Sequence, residues 1–286
     1  MRILVLGSTG MLGHTMVKML SHERGWEIVG TQARDAKVSG FFRVEDGVDA
    51  LSTVGNDFDY VINCIMAAPW HIDPQASESV RRAIEVNALF PHVLARYTSS
   101  RKTRLIHIST DGVFSGKGGA YDENAPADTL DVYGRTKWLG EVHAPHVLTI
   151  RASLVGRSPL KKEGLLEWFL SQEDGSTVNG FTNHIWNGVT TLQFIELCRR
   201  IIREDHFDTL RNESSLFHFA PNTPVTKCQL LEMFKTTFKK NITIHPIDDP
   251  RGAVHRILTT QYKGLRSLFP HDIPMERAIA DLEPYC

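Results

Sequence analysis

Apolar runs that alternate with helix-like patterns through the first half of the chain restrict the fold most strongly. Helical spacing of apolar residues separates these runs, most clearly over residues 79–97. The apolar runs cover residues 2–7, 26–32, 59–66, 104–110 and 146–153. Nearly unbroken runs of this length are typical of parallel strands covered on both faces, and right-handed crossovers connect such strands. The sequence therefore predicts an α/β fold with a doubly wound parallel sheet of the Rossmann type.

A glycine-rich loop, GSTGMLG, follows the first predicted strand and opens a helix. Gly7 suits a tight turn, Gly10 lets the backbone approach a pyrophosphate, and Gly13 allows close packing of helix and strand. The free N–H groups at the helix N-terminus favour phosphate there. This context predicts a dinucleotide site. The residues expected to contact the cofactor are Gly7, Ser8, Thr9, Gly10, Met11, Leu12 and Gly13.

The end of the second strand bears on the choice between NAD and NADP. An acidic residue about 20 positions past the loop would bind the ribose 2′-hydroxyl. This chain reads GTQARD there, and Arg34 occupies the corresponding place. Because a guanidinium suits a 2′-phosphate, the sequence favours NADP(H). Asp35 leaves NAD(H) open.

The alternation weakens after residue 153. We predict an NAD(P)-binding Rossmann domain over residues 1–153 and a smaller, mainly substrate-binding α/β lobe over residues 154–286. An apolar run at 215–220 is typical of a strand that could rejoin the sheet. We therefore expect segments at about 190–220 to return to the first domain, so that the two parts are partly interwoven.

The stretch YGRTKWLGE places Tyr133 and Lys137 one helical turn apart. A free tyrosine has a pKa of about 10, and a neighbouring ammonium lowers it. Beside a nicotinamide, such a tyrosine can give a proton to a carbonyl oxygen that is being reduced. The apolar run RLIHIST ends in Ser109 and Thr110, at the sheet edge where ligands bind. We expect one of these hydroxyls to bind the substrate carbonyl and the other to cap backbone.

These motifs, with VINC, EVNALFP, STDGVFSG and IRASLVG, resemble the extended short-chain dehydrogenase/reductases in order and spacing. The branch that they resemble most contains the dTDP-4-dehydrorhamnose reductases and related nucleotide-sugar ketoreductases. This resemblance implies NADPH-dependent reduction of the 4-keto group of a nucleotide-linked deoxysugar, with Thr110, Tyr133 and Lys137 as catalytic residues. It also implies cofactor contacts. The residues concerned are Cys64, Ile65, Met66, Asn87, Tyr133 and Lys137.

The chain departs from this branch at Gly112, where the rhamnose enzymes usually carry an aromatic residue. The change widens the space near the sugar, and glycine is no acid or base, so reduction without epimerisation is favoured. His184 is expected to be structural rather than catalytic. Two alternatives stay open: an epimerase or dehydratase with tightly bound NAD, and a non-catalytic NADP-binding subunit resembling the regulatory beta subunit of methionine adenosyltransferase.

Candidate substrate-binding residues lie mostly in the second half. Trp186 can stack on a base or a sugar, or pin its loop to the core, and amides such as Asn183 can bind hydroxyls. Arg157 follows the last strand of the first half and suits a diphosphate. Arg251 and Arg256 are weaker candidates of the same kind. The residues assigned to the substrate are Asp111, Arg157, Asn183 and Trp186.

Composition excludes several classes of protein. A formal net charge of −1 without a long run of one sign argues against nucleic-acid and membrane-surface binding. No apolar stretch approaches the roughly 20 residues that span a bilayer, and the N-terminus is typical of a strand rather than a signal peptide. The cysteines show no metal-site spacing, so no metal is expected. We predict a cytoplasmic protein whose partner is a nucleotide-diphospho-sugar; the resemblance adds a homodimer.

Overall fold

The computed structural model describes residues 1–33 and 40–285. Its strands are β1 (Arg2–Leu6), β2 (Glu27–Gly30), β3 (Tyr60–Asn63), β4 (Arg104–Ser109), β5 (Gly119–Tyr121), β6 (Val147–Arg151), β7 (Leu154–Val155), β8 (Thr177–Phe181), β9 (His184–Trp186), β10 (Val189–Thr190), β11 (Leu216–His218), β12 (Val225–Thr226), β13 (Thr243–Ile247) and β14 (Val254–Leu258). Six of them form a sheet in the order β11-β6-β4-β3-β1-β2. All of its neighbouring strands are parallel. The predicted Rossmann-type α/β fold is confirmed.

Helices connect these strands and cover both faces of the sheet. They are α1 (Met11–Leu20), α2 (Ser77–Ala83), α3 (Phe90–Ser99), α4 (Val132–Leu139), α5 (Leu165–Leu170), α6 (Thr191–Arg203), α7 (Phe207–Glu213), α8 (Lys227–Thr237), α9 (Lys263–Leu268) and α10 (Met275–Ala280). Both α6 and α8 begin with capping boxes, in which Thr190 pairs with Gln193 and Thr226 with Gln229. Each box satisfies two backbone N–H groups that the first turn leaves open.

The long helix predicted over residues 79–97 contains an irregular turn. A π-helical segment, Ile84–Leu89, joins α2 to α3. Pro91 has no N–H to donate to the carbonyl of Asn87 four residues earlier, which interrupts the regular ladder. The end of α4 packs against that carbonyl, where a Cβ on Gly140 would lie only 1.9 Å from the oxygen. The interruption thus leaves the Asn87 oxygen in close contact with the end of α4, the helix that carries Tyr133.

Alternation along the strands builds a core on each face of the sheet. In β1, Ile3 and Val5 belong to the cluster that includes Phe194 of α6, and Leu4 and Leu6 belong to the cluster on the opposite face. Residues of α6 and β11 therefore pack with the first half of the chain, although they follow it in sequence.

The second half builds a separate cluster around short sheets. This cluster includes Phe169, Trp186, Leu230, Phe234 and Ile279. A four-stranded sheet in the order β12-β9-β14-β5 lies beside it and takes β5 from the first half. In the part of the chain that the structure describes, no helix has both the length and the apolar character needed to cross a membrane.

Candidate active site

A cavity of about 410 Å³ opens at the carboxyl ends of the central parallel strands. Residues from the loops after β1, β3 and β4 line it together with residues of α4 and β14. This edge of an open α/β sheet is where ligands bind. The lining residues predicted from the sequence are Gly10, Met11, Leu12, Cys64, Ile65, Met66, Thr110, Asp111, Tyr133 and Lys137.

Tyr133 lies in this cavity near the start of α4. Asp131 caps the helix by accepting a hydrogen bond from the N–H of Gly134 at 2.8 Å. The Tyr133 hydroxyl contacts Sδ of Met66 at 3.7 Å. Burial raises the pKa of Tyr133 to about 12, and a hydrogen bond with Thr110 opposes the rise. The phenol therefore keeps its proton at neutral pH and can act as a proton donor.

The two hydroxyls at the end of β4 have different surroundings. Thr110 Oγ1 accepts a hydrogen bond from the N–H of Gly112 at 3.1 Å and donates to Asp111 at 3.3 Å. Ser109 Oγ lies on the buried side and donates to Glu141 at 2.7 Å, and Glu141 also forms a bidentate pair with Arg151. Thr110 is thus the hydroxyl beside Tyr133, and it caps the backbone itself, whereas Ser109 belongs to a buried ion-pair network.

Lys137 points towards β4. Its ammonium donates to the backbone oxygen of Ile108 at 2.7 Å, and the residue is 2% exposed. Burial lowers the pKa of Lys137 to about 8, and Glu141 opposes the shift. The sequence led us to expect that Lys137 would lower the pKa of Tyr133. In this structure the opposing groups are the Thr110 hydroxyl and the Arg256 guanidinium.

The glycine loop has the geometry that a pyrophosphate requires. Gly7 has a φ of +79°, and a Cβ on Gly13 would lie 2.3 Å from the Gly7 oxygen. Among the residues that the structure describes, no side chain caps the N-terminus of α1, which leaves its first N–H groups available. Ser8 Oγ instead donates to the oxygen of Thr31 at 2.7 Å, so this side chain is directed at the end of β2.

A second cavity of about 470 Å³ continues from the loop towards β2. Gly7, Thr9, Ala33 and Arg43 are among its lining residues. Together the two cavities offer an elongated ligand, such as a dinucleotide, a continuous path past the loop, because Ile65 and Met66 line both. Arg34 lies outside the described residues.

Asn87 supports the site without lining either cavity. It is 1% exposed, and its amide bonds the N–H and the oxygen of Ala67 at 2.8 and 3.0 Å. It also donates to Thr136 of α4 at 3.2 Å. Asn87 therefore connects the loop after β3 to the helix that carries Tyr133. It would affect a bound cofactor indirectly, by fixing the position of that loop.

Three of the four candidate substrate residues are not among those that line this cavity, and their contact with the substrate stays a prediction. Arg157 donates to Glu167 at 2.8 Å, outside the cavity lining. The Asn183 amide is bonded to the backbone of Asp249. Trp186 is 5% exposed and packs in the core of the second half. Only Asp111 lines the cavity.

His184 lies 3.2 Å from Asp249 rather than beside Tyr133. Arg157, Asn183 and His184 each have a polar or charged partner in the second half, as buried polar groups require. Trp186 packs in the apolar core of that half. The structural role expected of His184 stays a prediction. Across the described ranges, 1–33 and 40–285, no three His, Cys, Asp or Glu side chains form a group that could hold a metal ion.

Sequence reasoning missed several residues around the cavity. Glu163 accepts hydrogen bonds from Trp70 at 3.2 Å and from His71 at 3.0 Å, which joins the loop after β3 to the loop before α5. Arg256, a weak candidate in the sequence, lines the cavity, and Lys227 lies close to Arg256 and Asp111. For Trp70, His71 and Glu163, the one signal in the sequence was a tryptophan in a loop. For Lys227, no sequence pattern indicated a place near the cavity.

A Rossmann sheet whose glycine loop meets a threonine, a tyrosine and a lysine in one cavity is the arrangement that the resemblance to the extended short-chain dehydrogenase/reductases implied. Solved structures agree with the fold. A dTDP-4-dehydrorhamnose reductase from Bacillus anthracis in complex with NADP matches with a TM-score of 0.77 and 17% identity, over 99% of each chain. A UDP-glucuronic acid 4-epimerase from Bacillus cereus in complex with NAD matches with a TM-score of 0.71 and 16% identity, over 100% of this chain and 96% of that one.

The family follows from a match over most of the chain: this protein belongs to the RmlD substrate binding domain family, whose model matches residues 1–251. Among curated relatives, a dTDP-4-dehydrorhamnose reductase from Mycolicibacterium smegmatis is 34% identical over 49% of this chain and 40% of that protein. The methionine adenosyltransferase 2 subunit beta of Xenopus tropicalis is 28% identical over 49% of this chain and 41% of that protein. The matched stretch thus spans less than half of the length of either relative.

Proposed function

We propose that this protein reduces the 4-keto group of a nucleotide-linked deoxysugar, with NADPH as the hydride donor. The observation that supports this most is the meeting of Thr110, Tyr133 and Lys137 with the glycine loop in one cavity. Membership of the RmlD substrate binding domain family and similarity to named reductases support it as well. The proposed partner is a nucleotide-diphospho-sugar substrate, and the protein is proposed to be cytoplasmic and homodimeric.

The chain's own residues fit a dinucleotide. Gly7 to Gly13 would hold its pyrophosphate, and the cavity that Thr9, Ala33 and Arg43 line would take the adenosine end. When bound, the reduced nicotinamide supplies a hydride to the carbonyl carbon. NADP(H) is favoured by Arg34 in the sequence and by the NADP complex of a structurally similar reductase. NAD(H) stays open, because a structurally similar epimerase is described with NAD.

Tyr133 supplies the proton in this proposal. Its high pKa keeps the phenol protonated at neutral pH, and the phenol gives its proton to the carbonyl oxygen as negative charge develops there. The Thr110 hydroxyl, already in contact with Tyr133, orients this group and can hydrogen-bond the same oxygen. The Arg256 guanidinium is the cation that lowers the pKa of Tyr133, and the buried ammonium of Lys137, one turn away on α4, would hold the ribose of the nicotinamide.

The test is loss of the reduced-nicotinamide absorbance. Purified protein is mixed with NADPH or NADH and with dTDP- or GDP-linked 4-keto-6-deoxysugars. One substrate should be reduced, and Tyr133→Phe should lower the rate by about 10²–10⁴-fold without changing the melting temperature. Tyr97→Phe, which removes a hydroxyl on α3 away from the cavity, is the matched control and should leave the rate unchanged.

Other outcomes separate the alternatives. A loss below about tenfold in Tyr133→Phe would remove this residue from the proton transfer. If no substrate consumes NADPH although NADPH binds, the ketoreductase proposal fails. A cofactor that copurifies and turns over without net consumption would then indicate an epimerase or dehydratase, and a stable protein partner would indicate a regulatory subunit.

A further inference from the structure

Met66 lies in the loop after β3, where the two cavities meet. It lines both of them, and 45% of the residue is exposed. Of the seven methionines in the chain, all of them described by the structure, only Met1 is exposed to the same extent, at 46%, and it lines neither cavity. Met11 also lines the first cavity but is only partly exposed. Met66 is therefore the methionine of the cavity that a small dissolved reagent reaches most easily.

The backbone on both sides of Met66 is held in place. The N–H of Ile65 donates to the side-chain oxygen of Asn63 at 3.1 Å. The N–H and the oxygen of Ala67 are both bonded to the Asn87 amide, at 2.8 and 3.0 Å. Asn63 and Asn87 are each 1% exposed, so these anchors are buried. The Met66 side chain can rotate, but its point of attachment keeps the sulfur near the same groups.

The sulfur of Met66 faces the proposed proton donor. The Tyr133 hydroxyl donates to Sδ at 3.7 Å. A thioether is a weak acceptor, so the phenol loses little when it turns to a substrate carbonyl instead. Oxidation of methionine gives a polar sulfoxide, which carries an oxygen on the same sulfur. Because that oxygen can come within ordinary O–H···O distance of the hydroxyl, oxidation replaces a weak acceptor by a strong one at the group that delivers the proton.

The thiol of Cys64 lines the same cavity but is a poorer target for an oxidant. Burial raises the pKa of Cys64 to about 12, although Lys137 opposes the rise. Oxidants attack the thiolate, which such a thiol forms only rarely at neutral pH. A thioether has no proton to lose, so a raised pKa cannot protect Met66.

We propose that Met66 is an oxidation site of the active-site cavity, where a peroxide converts the thioether to a sulfoxide whose oxygen accepts a hydrogen bond from Tyr133. Hydrogen peroxide transfers one oxygen atom to the sulfur: the O–O bond breaks, an S–O bond forms, the sulfur is oxidised, and the reduced peroxide leaves as water. The modification and the new hydrogen bond depend on the structure alone. The loss of activity that follows rests on the proposed function, because it requires Tyr133 to deliver the proton.

The oxidised protein should reduce its substrate more slowly. The Tyr133 proton must leave the sulfoxide oxygen before it can reach the substrate, and one neutral hydrogen bond corresponds to about 2–10-fold in rate. We therefore expect kcat to fall by that factor. Methionine sulfoxide reductases reverse the modification, with one enzyme for each epimer, so treatment with both should restore kcat.

The test treats the purified protein with hydrogen peroxide and locates the added oxygen by peptide mass spectrometry. Met66 should be oxidised as readily as Met1, while the buried Met16 and Met275 stay unmodified. The rate of 4-ketosugar reduction is measured before and after treatment, and each protein is compared with its own untreated sample. Met66→Leu should keep its rate through the treatment. Met233→Leu, a change on α8 away from both cavities, is the matched control and should lose as much as the wild type.

Two further measurements examine the hydrogen bond itself. Met66→Gln places an amide oxygen near the position of the sulfur, and without any oxidant it should be about 2–10-fold slower than Met66→Leu. NMR of protein with isotopically labelled tyrosine rings reports on the hydroxyl without turnover. The Tyr133 resonance, assigned with Tyr133→Phe, should shift when the wild type is oxidised and stay in place in Met66→Leu.

Several results would overturn the inference. Met66 that stays unmodified while Met1 is oxidised removes the site, and a loss of rate that dithiothreitol reverses assigns the effect to a thiol instead. An unshifted Tyr133 resonance in protein oxidised at Met66, or Met66→Gln as fast as Met66→Leu, removes the hydrogen bond. If the resonance shifts but even untreated protein reduces no 4-ketosugar nucleotide, the oxidation site stands and the proposed function fails.

Discussion

At the residue scale, the two titratable groups of α4 have shifted pKa values for the same reason and with opposite effects on charge. Burial disfavours the ionised form of each, so the pKa of Tyr133 rises to about 12 and the pKa of Lys137 falls to about 8. Near pH 7 the phenol is protonated and the ammonium is still charged. The protonated phenol suits a proton donor, and the charged ammonium suits a group that holds the cofactor.

The pH dependence of the reaction should follow Lys137. Because its pKa lies near 8, the ammonium is lost as the pH rises through 8, and the rate of reduction should fall there. Tyr133 still holds its proton in that range, so it does not cause the fall. A profile of kcat from about pH 6 to about pH 10 measures the effect.

Two variants identify the group responsible. Lys137→Arg keeps its charge to a higher pH, so the fall should move upward or disappear. The pKa of Lys227 is also lowered to about 8, but Lys227→Met should leave the fall of kcat in place. A wild-type rate that stays constant to about pH 10 would contradict the role given to the Lys137 ammonium.

At the element scale, the junction of β1 and α1 depends on how closely two backbone segments approach. Gly13 lies in the first turns of α1 and faces the Gly7 oxygen, where a Cβ would be 2.3 Å away. At Gly10 the nearest atom to an added Cβ is the same oxygen, at an ordinary 3.4 Å. The two glycines thus have different tasks. Gly13 permits close packing of α1 against the loop, and Gly10 keeps the N-terminus of the helix open.

Alanine at each position should separate these tasks. Gly13→Ala should lower the free energy of unfolding by about 1–3 kcal/mol, because the new methyl group forces α1 away from the loop. Gly10→Ala should leave stability nearly unchanged but weaken cofactor binding. Urea denaturation measures the first effect and NADPH titration the second. Equal stability of the two variants would show that the loop adjusts without cost.

At the scale of the whole molecule, chain order and packing order differ. Phe194 and Ile201 of α6 and Phe217 of β11 belong to the core cluster that contains Ile3 and Ile150. Conversely, β5 of the first half pairs with β14 of the second. The division at residue 153 stays a prediction, because these exchanged elements cross it in both directions.

A fragment of residues 1–153 should fail to fold cooperatively. It lacks β11, which leaves an edge of β6 unpaired, and it lacks α6, which exposes the apolar face of α1. Circular dichroism with thermal melting tests this. A fragment of residues 1–220 keeps both elements and should recover a larger part of the transition. A sharp melting transition of the 1–153 fragment would instead establish it as an independent domain.

The sequence by itself determined the sheet, the glycine loop and the motif that carries Tyr133. These signals are local. Unbroken apolar runs reflect strands buried on both faces, and Gly7 and Gly13 occupy positions that the backbone restricts. A helical turn also fixes the spacing of Tyr133 and Lys137 without help from the rest of the chain.

Only the tertiary structure decided what those side chains face. Lys137 is directed at the Ile108 oxygen, and Trp186 is in the core rather than at the cavity. Lys227 and Arg256 approach Asp111 and Tyr133 from positions about one hundred residues away in the chain. No local pattern records such meetings, because they depend on how the second half folds back across the first. The sequence could therefore place the motifs on their elements, while the charge around the cavity depends on contacts between the two halves.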